Sequence, residues 1–334
     1  MAVPASKDII LNLSTNNTSP GGHFQAINKV KRFSRYQTYA MYVADITDYN
    51  SHSDRDNAKQ SVEWFFQVNL RSGLSIDMFD KFTDSQDPLG ITGSTVAEEF
   101  KSNLFGVIAD YDLTEKFSLR ADYTNFDLNY DDVANEWRDR TDNSIAAYLY
   151  YKYTEKTSVF FQYEFIDLSY KTSKLLDNKQ HYTYVGMDWR PTDKTTLKGK
   201  VGVAVRDATL DDGDITEPAF ELTADYKMTG KTSAQVILSQ KIGESTALTS
   251  NYSIDRKINL AFFTQFTEKL GARLQFGFGQ NNYDGGTVDR DDDIYNASLV
   301  GTYALKDWLK AEAGYSYTDQ DSSLDLNNYS TNLL

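Results

Sequence analysis

Residues 145–165 read IAAYLYYKYTEKTSVFFQYEF, and their pattern indicates the fold most clearly. Apolar and polar side chains alternate along it with a period of two, which is typical of a β-strand with two different faces. An apolar face with Ile145 and Leu149 precedes a short turn at Thr154, and one with Phe161 and Tyr163 follows it. Each arm spans roughly 10 to 14 residues, the length that a tilted strand needs to cross a bilayer. The stretch therefore predicts a transmembrane β-hairpin.

The same turn recurs along the chain. Threonines at positions 114, 154, 192, 229 and 267 mark successive copies, separated by 40, 38, 37 and 38 residues, and residues 305–308 form a degenerate last copy. A period near 38 fits helical repeats or propeller blades as well, but the strict alternation between the turns favours long strands. Aromatic residues recur at the turn ends, as in the girdle of a membrane barrel; these are Tyr111, Tyr151, Trp189, Tyr226 and Tyr303.

The composition narrows the class of protein. The 334 residues include no cysteine, which excludes disulfides and thiolate sites, and the net charge of -14 argues against nucleic-acid binding. A mean hydropathy of -0.54 is low for a membrane protein. Barrel strands, however, place only every second residue in lipid. Long polar loops are expected near residues 50–59, 84–98, 131–141, 173–179, 207–217, 243–250, 281–292 and 319–327.

These features predict an all-β protein, a transmembrane antiparallel up-and-down β-barrel of about 16–18 strands in the outer membrane of a Gram-negative bacterium. We expect one barrel domain over residues 1–334, with residues 1–35 its weakest part. Residues 9–14 and 24–30 are the first two strands or an irregular lead-in. Met1 to Lys7 lacks the apolar core of a signal peptide, so we expect a mature, recombinant or incomplete sequence. The last strand, from Asn328, is expected to be incomplete.

The chain resembles the outer-membrane β-barrel porins found with bacterial exopolysaccharide biosynthesis and export genes. The resemblance covers roughly Tyr39 to Leu334. It rests on the turn from Tyr151 to Ser158, on the block GMDWRPTDK from Gly186 to Lys194, and on the terminal GYSYTDQDSS and NYSTN motifs. It implies an outer-membrane pore for a polymer, and it brings no catalytic residues.

Polar side chains of both signs occupy the second face of the predicted strands, which lines the lumen of a barrel. The candidates are Arg120, Asp122, Lys152, Gln162, Glu164, Asp188, Arg190, Lys198, Lys200, Glu221, Asp225, Lys227, Arg273, Gln275, Lys310 and Glu312. Such a face indicates a hydrated channel whose charges set its selectivity. The alternative is a lumen sealed by cross-strand ion pairs, but side chains cannot fill the interior of so large a barrel.

Five aromatic residues share this inner face: Tyr148, Tyr150, Phe160, Tyr182 and Tyr184. Flat rings of this kind could form a track on which sugar rings stack. The alternative, which the sequence favours, is ordinary packing among neighbouring lumen side chains.

Three acidic residues are weak candidates for calcium binding: Asp211, Asp212 and Asp214. Their run lacks the spacing and the closing glutamate of a calcium loop, so a solvated loop is favoured and no metal or cofactor is expected. His52 lies between Ser51 and Ser53, and a barrel hydrolase could place such residues at its rim. Neighbours in sequence do not make a catalytic triad, so we predict that the protein is not an enzyme.

The sequence leaves three functions open. The favoured one is a channel that passes a hydrophilic solute, an exopolysaccharide by the resemblance. The second is a general diffusion porin, and the third is a structural sheath around a partner such as a multihaem cytochrome. The expected partners are outer-membrane lipid and lipopolysaccharide, a polysaccharide cargo, and a periplasmic export protein or a protein that plugs the lumen. Nucleic acid is not among them.

Overall fold

The computed structural model describes residues 9–16, 19–32, 35–47, 57–86, 98–209, 214–245, 250–287, 289–306 and 309–333. Its strands are β1 (Ile9–Asn16), β2 (Ser19–Arg32), β3 (Tyr36–Thr47), β4 (Asn57–Asn69), β5 (Leu74–Gln86), β6 (Glu99–Asp112), β7 (Phe117–Tyr130), β8 (Arg140–Thr154), β9 (Thr157–Tyr170), β10 (Asn178–Thr192), β11 (Thr195–Ala208), β12 (Ile215–Lys227), β13 (Thr232–Glu244), β14 (Tyr252–Gln265), β15 (Leu270–Asp284), β16 (Arg290–Lys306), β17 (Leu309–Ser322) and β18 (Tyr329–Leu333). Short 3-10 turns cover Val133–Arg138, Lys174–Leu176 and Asp325–Asn327. No helix in the described ranges is long and apolar enough to cross a membrane.

The strands form one 18-stranded sheet in which each strand pairs antiparallel with the next along the chain. The sheet closes on itself where β1 pairs in parallel with β17, Ile9 opposite Leu309 and Asn12 opposite Glu312. β18 pairs with residues 316–320 of β17. The predicted fold class, an up-and-down barrel of 16–18 strands, is confirmed, and the two uncertain segments near the N-terminus are strands.

The recurring threonine closes five of the short turns through its side chain. The Oγ1 atom of Thr154 accepts a hydrogen bond from the backbone N–H of Lys156 at 3.2 Å. The same bond, from the residue two places on, recurs at Thr114, Thr192, Thr229 and Thr267. Side-chain oxygens of serine and threonine stabilise tight turns in this way. The predicted last copy includes residues 307–308, which lie outside the described residues.

Each turn is also joined to the following hairpin. The backbone carbonyl of Lys156 accepts a hydrogen bond from the N–H of Arg190, at 2.8 Å. The carbonyls of Lys116, Lys194, Lys231 and Lys269 do the same for the next hairpin, each at 2.8 Å. The period of about 38 residues is therefore one hairpin of the wall, with the same backbone bond to its neighbour in five copies.

The outer face changes from apolar to polar part-way along each strand. On β9 the outward positions are Val159, Phe161 and Tyr163, all exposed, followed by Asp167. On β16 exposed Tyr303 and Leu299 lead to Tyr295, beyond which lies Asp293. The apolar belt thus covers the length of a tilted membrane strand, about 9–11 residues, with aromatic rings at both borders. The five predicted girdle rings lie on the outer face, at the turn border.

At the end of the belt opposite the short turns, strands β15 and β16 continue into a segment that was expected to be a loop. β15 runs to Asp284 and β16 begins at Arg290, so most of the predicted loop at residues 281–292 is paired strand. Polar outward side chains join these extensions, as between Asn282 Nδ2 and Asp291 Oδ1 at 2.5 Å. The loop prediction was wrong here because polar residues on both faces are compatible with a strand that stands above the membrane.

One hairpin leaves the wall. The ladder between β12 and β13 ends at the pair Phe220–Gln240. Pro218 lies two residues before Phe220 on β12, just beyond the end of this ladder. Proline has no N–H to donate, so it stops a ladder on that side. The Gln240 side chain donates to the free Pro218 carbonyl at 2.7 Å instead. β13 and β14 remain paired to Glu244–Tyr252, and this end turns into the barrel.

Candidate functional site: the polar lumen

The register places the predicted lumen residues on one continuous inner face. Tyr150, Phe160, Gly186, Lys200, Glu221, Ser239 and Lys257 form one row across β8 to β14. All predicted lumen residues except Arg190 lie in paired positions on the same face as this row. Arg190 follows Trp189, where the register with β11 shifts. The opposite parity carries the exposed apolar belt, so the polar face is the lumen side.

Several of these charges are satisfied by neighbours on the same face. Arg120 makes two bonds to the Asp122 carboxylate, at 2.7 and 2.9 Å, and its guanidinium lies 5.3 Å from the centre of the Tyr148 ring. Lys152 Nζ lies 2.9 Å from Asp112. In both pairs an acidic side chain offsets a basic one on the same face.

A network surrounds Lys200. Its ammonium lies 3.4 Å from Gln162 Oε1, 3.9 Å from the Glu221 carboxylate and 4.5 Å from the centre of the Tyr184 ring. The Gln162 amide donates in turn to Glu164 Oε2 at 3.1 Å. Gln162 is only 1% exposed, so this part of the inner wall is covered.

The covered part lies under the end of the β13–β14 hairpin. We call residues 240–244 and 250–256 the inward hairpin end. Ile242 and Ile254 pack in one buried cluster with Tyr182, Tyr184 and Ala204, which belong to the inner face of β10 and β11. In the turn half of β13 the same strand face, at Leu238, belongs to the outer surface of the wall. The hairpin therefore turns one half of this face outward and packs the other half against the inner wall.

Polar contacts hold the inward hairpin end in place. The Glu244 carboxylate accepts hydrogen bonds from Tyr170 Oη at 2.7 Å, Asn178 Nδ2 at 3.1 Å and Gln180 Nε2 at 2.8 Å. Arg206, 1% exposed, donates to the Asn251 carbonyl at 3.2 Å. Glu244 thus joins β13 to β10 across two intervening strands and to β9 across three, because its partners lie on the inner face of the wall. We call the inner faces of β9–β11 beneath this end the covered wall.

The inner face near the turn end is different. A cavity of about 530 Å³ is lined there by Asp225, Lys227, Arg273 and Gln275, among others. Lys227, Arg273 and Gln275 are exposed, and Asp225 accepts from Gln235 Nε2 at 2.8 Å. We call these four residues the open wall. Lys310 and Glu312 lie on the same face of β17, where Glu312 accepts from Thr302 Oγ1 at 2.9 Å.

The predicted aromatic track divides into two groups. Tyr148, Tyr150 and Phe160 contact one another with ring centres 5.0 to 6.2 Å apart. Tyr182 and Tyr184 stack on each other at 5.8 Å, and both are 5% exposed because the inward hairpin end covers them. The second pair packs in a core, as the alternative interpretation describes. The first group stays half-exposed except for Phe160, whose ring lies against Gly186.

A second cavity, of about 380 Å³, lies between the covered wall and the inward hairpin end. The wall contributes Glu164, Tyr184 and Lys200, and the hairpin contributes Ser239 and Lys241. It belongs to the lumen, but protein surrounds it on two sides.

Of the three weak calcium candidates, the described residues include only Asp214. Asp214 accepts a hydrogen bond from the backbone N–H of Ala208 at 2.7 Å, and Asp211 and Asp212 lie outside the described residues. In the ranges that the structure covers, no group of three or more His, Asp or Glu side chains could hold a metal ion. His52 also lies outside these ranges.

Sequence reasoning missed several inner-face residues. Arg140 and Asp142, 3.1 Å apart, open β8 on the lumen side, and continuing the alternation by a few residues would have found them. The same extension to β3 and β4 finds Tyr39, which donates to Glu63 at 2.5 Å. No local signal marks Glu244, because its partners are more than 60 residues away in sequence.

Solved outer-membrane proteins share this fold. The FrpB iron transporter from Neisseria meningitidis, F3-3 variant, is 8% identical, with a TM-score of 0.54 over 94% of this chain and 62% of that chain. The F5-1 variant of FrpB, in its apoprotein form, is 10% identical, with a TM-score of 0.52 over 96% of this chain and 62% of that one. The chain thus spans about three fifths of the transporter's length. Identities this low indicate a common fold alone.

None of the curated proteins matches the chain significantly. The profile of the family described as "Putative beta-barrel porin 2" matches residues 26–334, which extend from β2 to the end of the sequence. The match covers nearly all of the wall, including both the open wall and the inward hairpin end. The chain therefore belongs to this β-barrel porin family and is a protein of the outer membrane.

Proposed function

We propose that the protein passes a hydrophilic polymer, an exopolysaccharide, through its lumen. The observation that carries this proposal is the inner face itself, where polar side chains of both signs continue around the wall beside the half-exposed rings of Tyr148 and Tyr150. A sugar polymer needs hydroxyl partners and flat apolar surfaces, and this face offers both. The resemblance to porins found with exopolysaccharide genes supports the choice of cargo. Transport is passive, and its energy comes from elsewhere.

The inward hairpin end bears on the two alternatives. A general diffusion porin needs only an open lumen, and the open wall is compatible with that function. A sheath around a multihaem cytochrome needs a lumen free for the partner. Ile242, Glu244 and Ile254 occupy part of that space and are held to the inner wall, so a conduit for solute is favoured over a sheath.

The remaining partners follow from the two ends and the outer face. The apolar belt is proposed to contact outer-membrane lipid, with lipopolysaccharide at the border where Tyr163 and Tyr295 lie. A periplasmic export protein would meet the short-turn end. Neither a cofactor nor a reaction is part of the proposal.

Single-channel conductance in a planar bilayer tests the proposal. The purified protein is recorded alone, with dextran and with alginate, each at the same chain length. Steady conductance that either polymer blocks from one side supports a polysaccharide conduit. Conductance that neither polymer affects points to a general porin, and the absence of conductance contradicts the channel itself.

A further inference from the structure

We propose that the 380 Å³ cavity between the covered wall and the inward hairpin end is a binding site for an uncharged sugar unit of the transported polymer. This inference rests on the proposed function and specifies it, because it selects neutral saccharides over polyanionic ones. Membership of the porin family does not by itself imply such a site.

The site has the size and the walls of a small-molecule site. Its volume lies at the lower end of the range of about 300–1,000 Å³ for such sites. Contacts to Glu244 and Arg206 hold the inward hairpin end against the wall, so the cavity is built into the fold. Ile166, Leu168 and Ile242 give it an apolar side. That side suits the C–H face of a pyranose, whose hydroxyl rim needs polar partners.

The polar lining favours hydroxyl groups over a charged ligand. Three cations line the cavity, Arg140, Lys200 and Lys241, against four carboxylates, Asp142, Glu164, Glu221 and Glu244. Arg140 is paired with Asp142 at 3.1 Å and Lys200 lies 3.9 Å from Glu221, so no cationic cluster remains to neutralise a polyanion. A polyuronate would also meet the excess of carboxylates.

Sugar hydroxyls can both donate hydrogen bonds to the carboxylates of this lining and accept them from its ammonium groups. Glu164 accepts bonds from Ser144 Oγ at 3.2 Å and from Gln162 Nε2 at 3.1 Å, and a carboxylate has about four acceptor positions. Glu164 can therefore accept a further hydrogen bond from a ligand hydroxyl. The Lys200 ammonium has three donors, and one of them can reach a hydroxyl oxygen beside Gln162 and Glu221.

Calorimetric titration of the whole protein in detergent micelles tests this site without relying on conductance. The ligands are three neutral hexasaccharides (maltohexaose, isomaltohexaose and cellohexaose), hexaguluronate as the polyanion and fully deacetylated chitohexaose as the polycation. At least one neutral ligand is expected to bind about tenfold more tightly than either charged one.

Two variants locate the binding. Glu164→Gln and Lys200→Met should each weaken the neutral ligand about tenfold, the usual effect of losing a hydrogen bond to a charged group. Lys257→Met is the matched control, because Lys257 lies in the same row of the inner face, pairs with Asp255 and does not line the cavity. It should leave the affinity unchanged. Circular dichroism and the heat-induced gel shift verify that each variant folds.

Three results would overturn the site: tighter binding of a charged ligand, no binding of any neutral hexasaccharide, or equal losses in Lys200→Met and Lys257→Met. If the wild-type protein conducts and dextran or alginate blocks it while any of these results holds, the proposed conduit stands and only the site fails. If the neutral ligands bind as expected but no conductance is found, the proposed function fails and the site remains.

Discussion

The covered wall and the open wall follow the same alternation, yet they are in different surroundings. Arg206 on β11 and Arg273 on β15 both lie on the inner face. Arg206 is 1% exposed beneath the inward hairpin end, whereas Arg273 is exposed beside a 530 Å³ cavity. Strand periodicity thus determines which side of the wall a residue faces. A long-range contact determines whether water reaches it there.

The difference in exposure between the two walls has a function in the proposed channel. On one side of the barrel the hairpin narrows the lumen and forms the walls of a cavity, and on the other side charged groups face the passage. Stability and selectivity are therefore expected to depend on different residues. Substitutions on the two walls should therefore separate these two properties.

Glu244→Ala removes the shared acceptor of Tyr170, Asn178 and Gln180. Each bond to the carboxylate contributes about 1.5–3 kcal/mol, so the inward hairpin end should detach from the wall. We expect single-channel conductance to rise about twofold or more. Glu312→Ala is the control, since it removes one inner carboxylate that accepts from Thr302 on a wall away from the hairpin. An equal rise in both variants would show that charge alone, and not the hairpin, controls the conductance.

Ile254→Ala and Ile258→Ala compare two positions on the same face of β14. Ile254 is 5% exposed in the cluster with Tyr182, and Ile258 is 43% exposed in the lipid belt. The first change leaves a void in protein and should lower the free energy of unfolding by about 2–5 kcal/mol. In Ile258→Ala lipid chains can fill the space, so the free energy of unfolding should fall by less. Urea unfolding in lipid vesicles measures both, and equal losses would argue against the inward packing.

Arg273→Gln and Arg206→Gln separate the two walls by ion selectivity. Arg273 is exposed to the passage, so its loss should raise the ratio of cation to anion permeability about twofold. Arg206 is covered, so its loss should leave that ratio nearly unchanged and lower stability instead. Reversal potentials across a salt gradient report the ratio. A larger shift from Arg206→Gln would reverse the assignment of the walls.

Thr154→Ala tests the turn end, where five hairpins share the same threonine bond. It removes the acceptor for the Lys156 N–H and should cost about 0.5–1.5 kcal/mol of unfolding free energy. Thr154→Ser keeps the hydroxyl and should retain most of that energy. The same pair of changes at Thr192 should give a similar result, because the bond there is also 3.2 Å. A loss in the serine variants equal to that in the alanine variants would assign the effect to the lost methyl group.

The turn end and the inner face were predictable because their signals are local. The threonine bond spans two residues, and the alternation that placed Glu164, Lys200 and Arg273 on the inner face needs only one strand. The strands above the membrane at residues 281–292 could not be predicted, because polar residues on both faces of a strand conceal the period of two.

The covered wall could not be predicted in the same way. Tyr182 and Tyr184 have the pattern of lumen residues, and they are buried only because Ile242 and Ile254 fold over them from another hairpin. Pro218 is the one local signal, since it ends the β12–β13 ladder. It indicates that the hairpin can leave the wall, but not that Glu244 will find three donors on β9 and β10.

The most direct test of a channel narrowed by its own hairpin is the pore radius. Single-channel conductance is recorded with polyethylene glycols of graded size, for the wild-type protein and for Glu244→Ala. We expect conductance in both, with a larger cut-off size in the variant because the inward hairpin end no longer narrows the lumen. Equal cut-offs would contradict the narrowing, and a silent wild-type protein would contradict the channel.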